Sequence, residues 1–284
     1  MTRRASQQWH WRRWIIIPID TLVTIGISLT AGIIGAIVGI GGGFLIVPML
    51  IFIFGLSAQV SAGTSLIALA FTGLSGTVGY ARQRRIDYKL GLSLSVASAP
   101  GAVLGSIAST YLSSKTVTVL FGCFMILVSI YIAFGTPPTS LATGVAGSRR
   151  HLVDRDGREF QYTIRHLVFA YPLVFLAGVI AGFFGIGGGA LQVPVMIMLL
   201  GVPAEIATAT SALMIVLSAL TGAITHIQLG SVAYEFTPFI VISVIVGAQI
   251  GVQVQRLASA LTLRRLFALS IIIIGVRLIL VMLI

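Results

Sequence analysis

Residues 39–48 read Gly-Ile-Gly-Gly-Gly-Phe-Leu-Ile-Val-Pro, and residues 185–194 read Gly-Ile-Gly-Gly-Gly-Ala-Leu-Gln-Val-Pro. The two stretches stand 146 positions apart, and that offset holds along the rest of the chain without a gap. Gly55 falls on Gly201, Thr64-Ser65 on Thr210-Ser211 and Gly76 on Gly222. Tyr88 falls on Tyr234, Gly101-Ala102 on Gly247-Ala248 and Gly105 on Gly251. Single matches of small residues are cheap; one register serving them all marks an internal duplication.

Both copies lie in apolar surroundings. Of the 284 residues, 57% are hydrophobic and 9% charged, and the mean hydropathy is +1.06. A soluble globule cannot hide that much apolar surface, so the chain reads as an integral membrane protein. No Asp, Glu, Lys or Arg occurs from Thr21 to Ala81 or from Leu167 to Ala204. At about 20 apolar residues per crossing helix there is room for roughly eight to ten spans. The segments read as Asp20–Val38, Phe44–Phe54, Ala58–Ala81, Leu90–Leu112 and Val117–Phe134. The second set is Leu167–Phe184, Ala190–Leu200, Ala204–Ile227, Phe236–Val254 and Leu263–Ile284. The expected organisation is a basic, Trp-rich interfacial tail over 1–19, a first repeat over 20–135, a polar linker over 136–166 and a second repeat over 167–284. The tail interleaves Trp9, Trp11 and Trp14 with Arg3, Arg4, Arg12 and Arg13, which suits the headgroup layer. It lacks a convincing small-residue cleavage site, so it is not read as a removed signal.

Three contiguous glycines are poor helix formers, each costing about 1 kcal/mol against alanine. A break there strands backbone N–H and C=O groups, which hydrocarbon tolerates only inside protein or beside a watery cavity. The short helix that follows offers free N–H groups and a positive dipole end. Two such breaks, one per half, form a candidate two-sided anion site near the midplane, built on Gly41, Gly42, Gly43, Gly187, Gly188 and Gly189. The competing account is tight helix packing, which more often spaces its small residues by four. Gly42→Val or Gly188→Val is expected to abolish transport in a folded, inserted protein. Neither copy continues into Gly-Lys-Ser/Thr, so a P-loop is excluded.

Thr64, Ser65, Thr210 and Ser211 lie about two turns into long apolar helices. Their hydroxyls are candidates to donate to an oxyanion without adding charge, against back-bonding to the preceding turn. Gln192 replaces Ile46 just past the second break and is a further candidate donor. Tyr80, Arg82, Glu205, His226 and Gln249 are the candidates for coupling or gating; His226 occupies the repeat position of Tyr80. Each has a plainer reading, as an interfacial anchor, a helix-end charge or interhelical glue. The lone Cys123 excludes an intramolecular disulfide framework. His10, His151, His166 and His226 show no metal-ligand spacing. No cofactor, metal or catalytic residue is expected, and no nucleophile–base pair suggests an enzyme. The net charge of +11 sits mostly in loops, as topology control rather than nucleic-acid binding.

Equivalent loops carry opposite charge. Arg82, Arg84, Arg85 and Lys89 follow the third segment of the first half, whereas Gln228–Tyr234 carries none. Lys115 stands alone where the second half has Arg256, Arg264 and Arg265. Swapped bias is what oppositely inserted halves display. The expected fold is therefore all-α and polytopic, with two homologous halves as inverted-topology repeats of about five helices, each with a glycine-broken short helix. The rival is eight spans with parallel halves and re-entrant short segments.

The duplicated Gly39–Pro48 and Gly185–Pro194, the small-residue runs ending in Thr-Ser (Ser61–Ser65, Ala207–Ser211), the basic Arg82–Tyr88 stretch, its His226…Tyr234 counterpart and the two Gly-Ala-x-x-Gly segments resemble the TauE/SafE family of sulfite and organosulfonate exporters. The resemblance covers about residues 20–284 apart from the linker. It implies a multi-pass inner-membrane carrier exporting small sulfur-containing anions such as sulfite, thiosulfate or sulfoacetate. The residues themselves reach an anion site but not sulfur, so an anion channel or a carboxylate carrier stays open. The implied partners are a small anion and membrane lipid, with no nucleic acid; the oligomeric state, a homodimer included, is left open.

Overall fold

The computed structural model describes residues 8–134, 147–257 and 271–281, and the side chains of 20–130, 147–255 and 271–281. The start of the tail, with Arg3 and Arg4, the first part of the linker, and Arg264 and Arg265 lie outside the described residues. The described chain is α-helical apart from one hairpin. The first half carries α1 (Gln8–Val38), α2 (Gly43–Phe54), α3 (Ala58–Arg82), α4 (Tyr88–Thr110) and α5 (Ser114–Phe134). The hairpin strands are β1 (Ser148–Val153) and β2 (Glu159–Ile164). The second half carries α6 (Leu167–Phe184), α7 (Gly189–Leu199), α8 (Ala204–Gln228), α9 (Thr237–Leu257) and α10 (Ile271–Val281). Among the described residues six helices are long and apolar enough to cross a bilayer, those within α1, α3, α4, α6, α8 and α9. The chain is an all-α, multi-pass membrane protein.

Local chemistry sets the boundaries. Ser57 caps α3 by accepting the Val60 N–H, and Asp87 caps α4 by accepting the Leu90 N–H at 3.0 Å. α1 stops where Gly39 turns to φ +75°, and the N–H groups of Gly39, Ile40 and Gly41 all return to the Gly35 carbonyl. α7 widens into a π turn over Val195–Leu199, directly after Pro194, which has no N–H to give.

α1, α3 and α9 run in one direction. Gly32 lies against Val244, Gly251 against Ile33 and Ala36, and Gly79 against Val252. α4, α6 and α8 run in the other: Gly178 lies against Ser98, Gly105 against Val179, and Gly91 against Thr210. α3 and α8 cross antiparallel at the centre, with Gly63 beside His226 and Gly73 beside Ala212 and Val216. The contacts come in pairs related by the 146-residue shift. Gly247 on Leu29 matches Gly101 on Phe175, and Gly32 on Val244 matches Gly178 on Ser98. Lipid-facing helices lack a hydrophobic drive to associate, so such close backbone contact over glycine is how they gain packing energy. The outward faces carry exposed Val96, Leu127, Val168 and Ile242, a surface suited to lipid rather than water.

The linker sequence reads as solvated, but its second part folds. β1 and β2 pair antiparallel from Ser148↔Ile164 to Val153↔Glu159. Asp154 beyond β1 is only 4% exposed. Its Oδ2 accepts from Arg85 Nη2 at 2.8 Å and Nε at 3.1 Å, and its Oδ1 from the N–H groups of Asp156 and Arg158. Burial pushes the Asp154 carboxyl up, but the Arg85 hydrogen bond, the two backbone N–H groups and the Arg85 charge outweigh it and hold it below the usual carboxylate range. Burial, then the hydrogen bond its hydroxyl donates to Asp87 at 2.8 Å, raises the Tyr162 phenol above its ordinary value. Tyr162 and Ile164 join Leu90, Leu94, Leu200, Val202 and Ile206 in one apolar cluster. The hairpin is thus fastened across the α3–α4 turn and the α7–α8 turn.

Candidate functional site

The two glycine breaks meet. A Cβ on Gly43 would strike the Gly185 carbonyl and Ile186 Cα; a Cβ on Gly189 would strike the Gly39 carbonyl. Only glycine permits that approach. Leu69 of α3 and Ile215 of α8, themselves repeat counterparts, cover both breaks and fill the space beside Gly41 and Gly187. The meeting point is therefore sealed by two apolar side chains in this conformation.

Around it, repeat-related polar side chains bind the backbone of the opposite half in reciprocal pairs. Ser65 Oγ donates to the Gly185 carbonyl at 2.7 Å, and Ser211 Oγ faces the Gly39 carbonyl at 3.1 Å. Thr64 Oγ1 accepts the Ala233 N–H at 2.9 Å, and Thr210 Oγ1 the Asp87 N–H at 3.1 Å. Ser75 Oγ donates to the Ile245 carbonyl, and Thr221 Oγ1 lies 3.2 Å from the Ala99 carbonyl. A further repeat-related pair stays within each half: Tyr80 of α3 donates to the Ala36 carbonyl of α1 at 2.7 Å, and His226 Nε2 of α8 lies 3.1 Å from the Gly182 carbonyl of α6. The sequence singles out Thr64, Ser65, Thr210, Ser211, Tyr80 and His226; the first four stitch one half to the other, whereas Tyr80 and His226 each tie two helices of their own half. Thr64 also back-bonds to Val60, the plainer reading of that residue.

The other candidates are not brought together. Gln249 Nε2 donates to the Ser75 carbonyl at 2.7 Å and lies 2.9 Å from its hydroxyl, tying α9 to α3. Arg82 is exposed in the last turn of α3, and Glu205 is exposed in the first turn of α8. Gln192 is different. It lies in the first turn of α7, is fully buried, and neither amide atom has a hydrogen-bond partner among the described residues. Its amide lies against Gly188, whose other near neighbour is the Ala177 carbonyl. Sequence reading missed Ser98, buried and equally unpartnered among the described residues on α4. Its signal was available: in the repeat register it falls on the apolar Val244.

A multi-pass helical protein whose halves interlock at paired breaks in two helices belongs with membrane transporters, and the comparisons agree. The family model described as "Sulfite exporter TauE/SafE" matches residues 24–278, and the chain belongs to that family. It is similar to the probable membrane transporter protein YunE of Bacillus subtilis, 33% identical over 265 residues covering 91% of this chain and 97% of that relative. It is also similar to the probable membrane transporter protein YdhB of the same organism, at 26% identity over 86% of this chain and 94% of the relative. The probable membrane transporter protein MJ0441 of Methanocaldococcus jannaschii is 26% identical over 88% and 90%. No solved structure matches. The chain is a membrane transporter.

Proposed function

We propose that the chain is a secondary carrier of the inner membrane that exports small sulfur-containing anions such as sulfite, thiosulfate or an organosulfonate. Its halves are inserted in opposite senses, and the anion is held between the two breaks near the midplane. The observation that carries this reading is the meeting of the breaks: two short-helix starts, Gly43 and Gly189, converge on one point from opposite halves. Their first N–H groups supply an uncharged oxyanion site. Such a site suits an anion that must be released as well as bound. The backbones of Gly41–Gly43 and Gly187–Gly189 form it, Gln192 contributes its amide, and Thr64, Ser65, Thr210 and Ser211 fix the opposed halves around it. Tyr80, Arg82, Glu205, His226 and Gln249 are assigned to gating or coupling. The antiparallel crossing of α3 and α8, which are repeat counterparts, supports opposite insertion. Leu69 and Ile215 seal the meeting point, which favours alternating access over an open channel. The sulfur assignment draws on the family.

Counterflow in proteoliposomes preloaded with sulfite, thiosulfate, sulfoacetate or acetate tests this. Accelerated, saturable exchange confined to the sulfur anions is the expected result. Equal, unaccelerated flux of every anion would make the protein a channel, and exchange of acetate alone a carboxylate carrier.

A further inference from the structure

We infer that the substrate is recognised at the second break, by Gln192 together with Ser98, and that the anion carries a hydrogen-bond donor of its own. This rests on the anion-carrier reading above and deepens it.

Gln192 is fully buried with both amide atoms unpartnered among the described residues, and it is aimed at Gly188, the residue from which α7 starts. Buried amides of native proteins are almost always paired, so an unpaired one calls for an explanation. Ser98, another unpartnered buried group, belongs to the same neighbourhood by the repeat: its counterpart Val244 shares one cluster with Ile46 and Ala31, the counterparts of Gln192 and Ala177. The Ser98 backbone packs on Gly178 of α6, next to Ala177, whose carbonyl lies near Gly188. α4, α6 and α7 therefore bring two unsatisfied polar groups to the start of one helix.

The duplicated half is an internal control. The repeat counterparts of Gln192 and Ser98 are Ile46 and Val244, both fully buried in one apolar cluster with Ala31. Where the fold needs packing alone, this place is aliphatic. Polar groups at the second break therefore answer to something other than packing.

The chemistry of the two groups specifies the ligand. The Nε2 donors, the Ser98 hydroxyl and the free N–H groups at the start of α7 all point to acceptor oxygens. The Gln192 Oε1 only accepts, and a fully deprotonated oxyanion would leave it unpaired and repelled. A small monoanion that also bears an O–H or N–H satisfies every group: a singly protonated oxoacid, or a sulfonate with a hydroxyl or amine.

The probes are 2-hydroxyethanesulfonate and its methyl counterpart, 1-propanesulfonate, applied to the full-length protein in detergent and in proteoliposomes. The hydroxylated sulfonate should raise the melting temperature and exchange about tenfold better, the cost of leaving the buried amide oxygen unpaired. Gln192→Ile and Ser98→Val install the residues of the other half. Both should melt at or above the wild-type temperature, yet lose the ligand-induced shift and the discrimination between the two sulfonates. Gln192→Ile that melts lower and binds as the wild type does would reduce the amide to a packing group and overturn the inference. Wild-type exchange of sulfonates without preference for the hydroxyl would overturn the ligand assignment alone. A folded wild type that neither binds nor exchanges any anion would overturn the anion-carrier reading and this inference with it.

Discussion

The first and second glycine breaks share a sequence, a place and a set of reciprocal bonds, yet they differ in what fills their first turn. At the first break Gly42 is left-handed at φ +90° against Ala31, and Ile46 packs into aliphatic surroundings. At the second, Gly188 has an ordinary φ of −57°, and the space beside it holds the unpaired amide of Gln192. The ends of the halves differ likewise. Asp87 ties α4 to Tyr162 of the hairpin, whereas its counterpart Ala233 offers only its backbone, to Thr64 and Thr237. A duplicated frame has thus kept its cross-stitching in both copies, while the second copy carries an unpaired amide at its break and the first a clamp on the hairpin. What the copies share is architecture; what they do not share is the best guide to specificity.

The largest expected effect concerns the clamp. Asp154→Ala removes both hydrogen bonds of the buried Arg85 guanidinium to a carboxylate and leaves it Asp156 at 4.0 Å; it should cost up to about 3–5 kcal/mol, read as a drop in melting temperature and as protease cleavage within the hairpin. The wild-type contribution of Asp154 is present above the unfolded carboxyl pKa and is lost as pH falls through the lowered folded value. The hairpin should therefore hold until the pH drops below the ordinary carboxylate range. Next come the glycines. Gly42→Val forces a β-branched residue into a left-handed conformation, about 1–3 kcal/mol for the backbone alone, and drives a Cβ into the Ala31 carbonyl. Gly188→Val meets chiefly the Gln192 side chain, so it should insert and fold better while losing substrate binding. The expectation from sequence that both variants stay folded is therefore revised for Gly42. Equal stability of the two would erase the asymmetry between the breaks. Ile46→Gln, which copies the second break into the first, should destabilise by about 1–3 kcal/mol, because nothing there answers an amide. The smallest effect is the stitching: Ser65→Ala and Ser211→Ala should each cost about 0.6 kcal/mol. A cost confined to one of them would mean that the reciprocal bonds are not equivalent.

Much of this was legible in the sequence because it was written twice. The 146-residue register placed the short segments from Phe44 and Ala190, one residue inside the observed starts at Gly43 and Gly189, and the long ones from Ala58 and Ala204; glycine chemistry alone implied the breaks. The partners of Thr64, Ser65, Thr210 and Ser211 were not legible. A linear repeat shows which residues correspond, not that each reaches into the other copy; three-dimensional exchange turned candidate ligand donors into backbone anchors. The hairpin was hidden by composition, since its arginines and aspartates resemble a solvated linker. Yet the alternation of Phe160, Tyr162 and Ile164 carries the period of a strand. Gln192 was visible as a mismatch within the repeat, and the same comparison at Val244 would have disclosed Ser98.

The central claim, two opposed halves meeting at their breaks, is tested most directly at Tyr88 and Tyr234. These are repeat counterparts, and both are exposed at helix ends. Each is changed singly to cysteine in a Cys123→Ser background, and intact cells are treated with a membrane-impermeant maleimide. The account predicts that position 234 is labelled at once and position 88 only after the membrane is permeabilised. Labelling of both from the same side would contradict it.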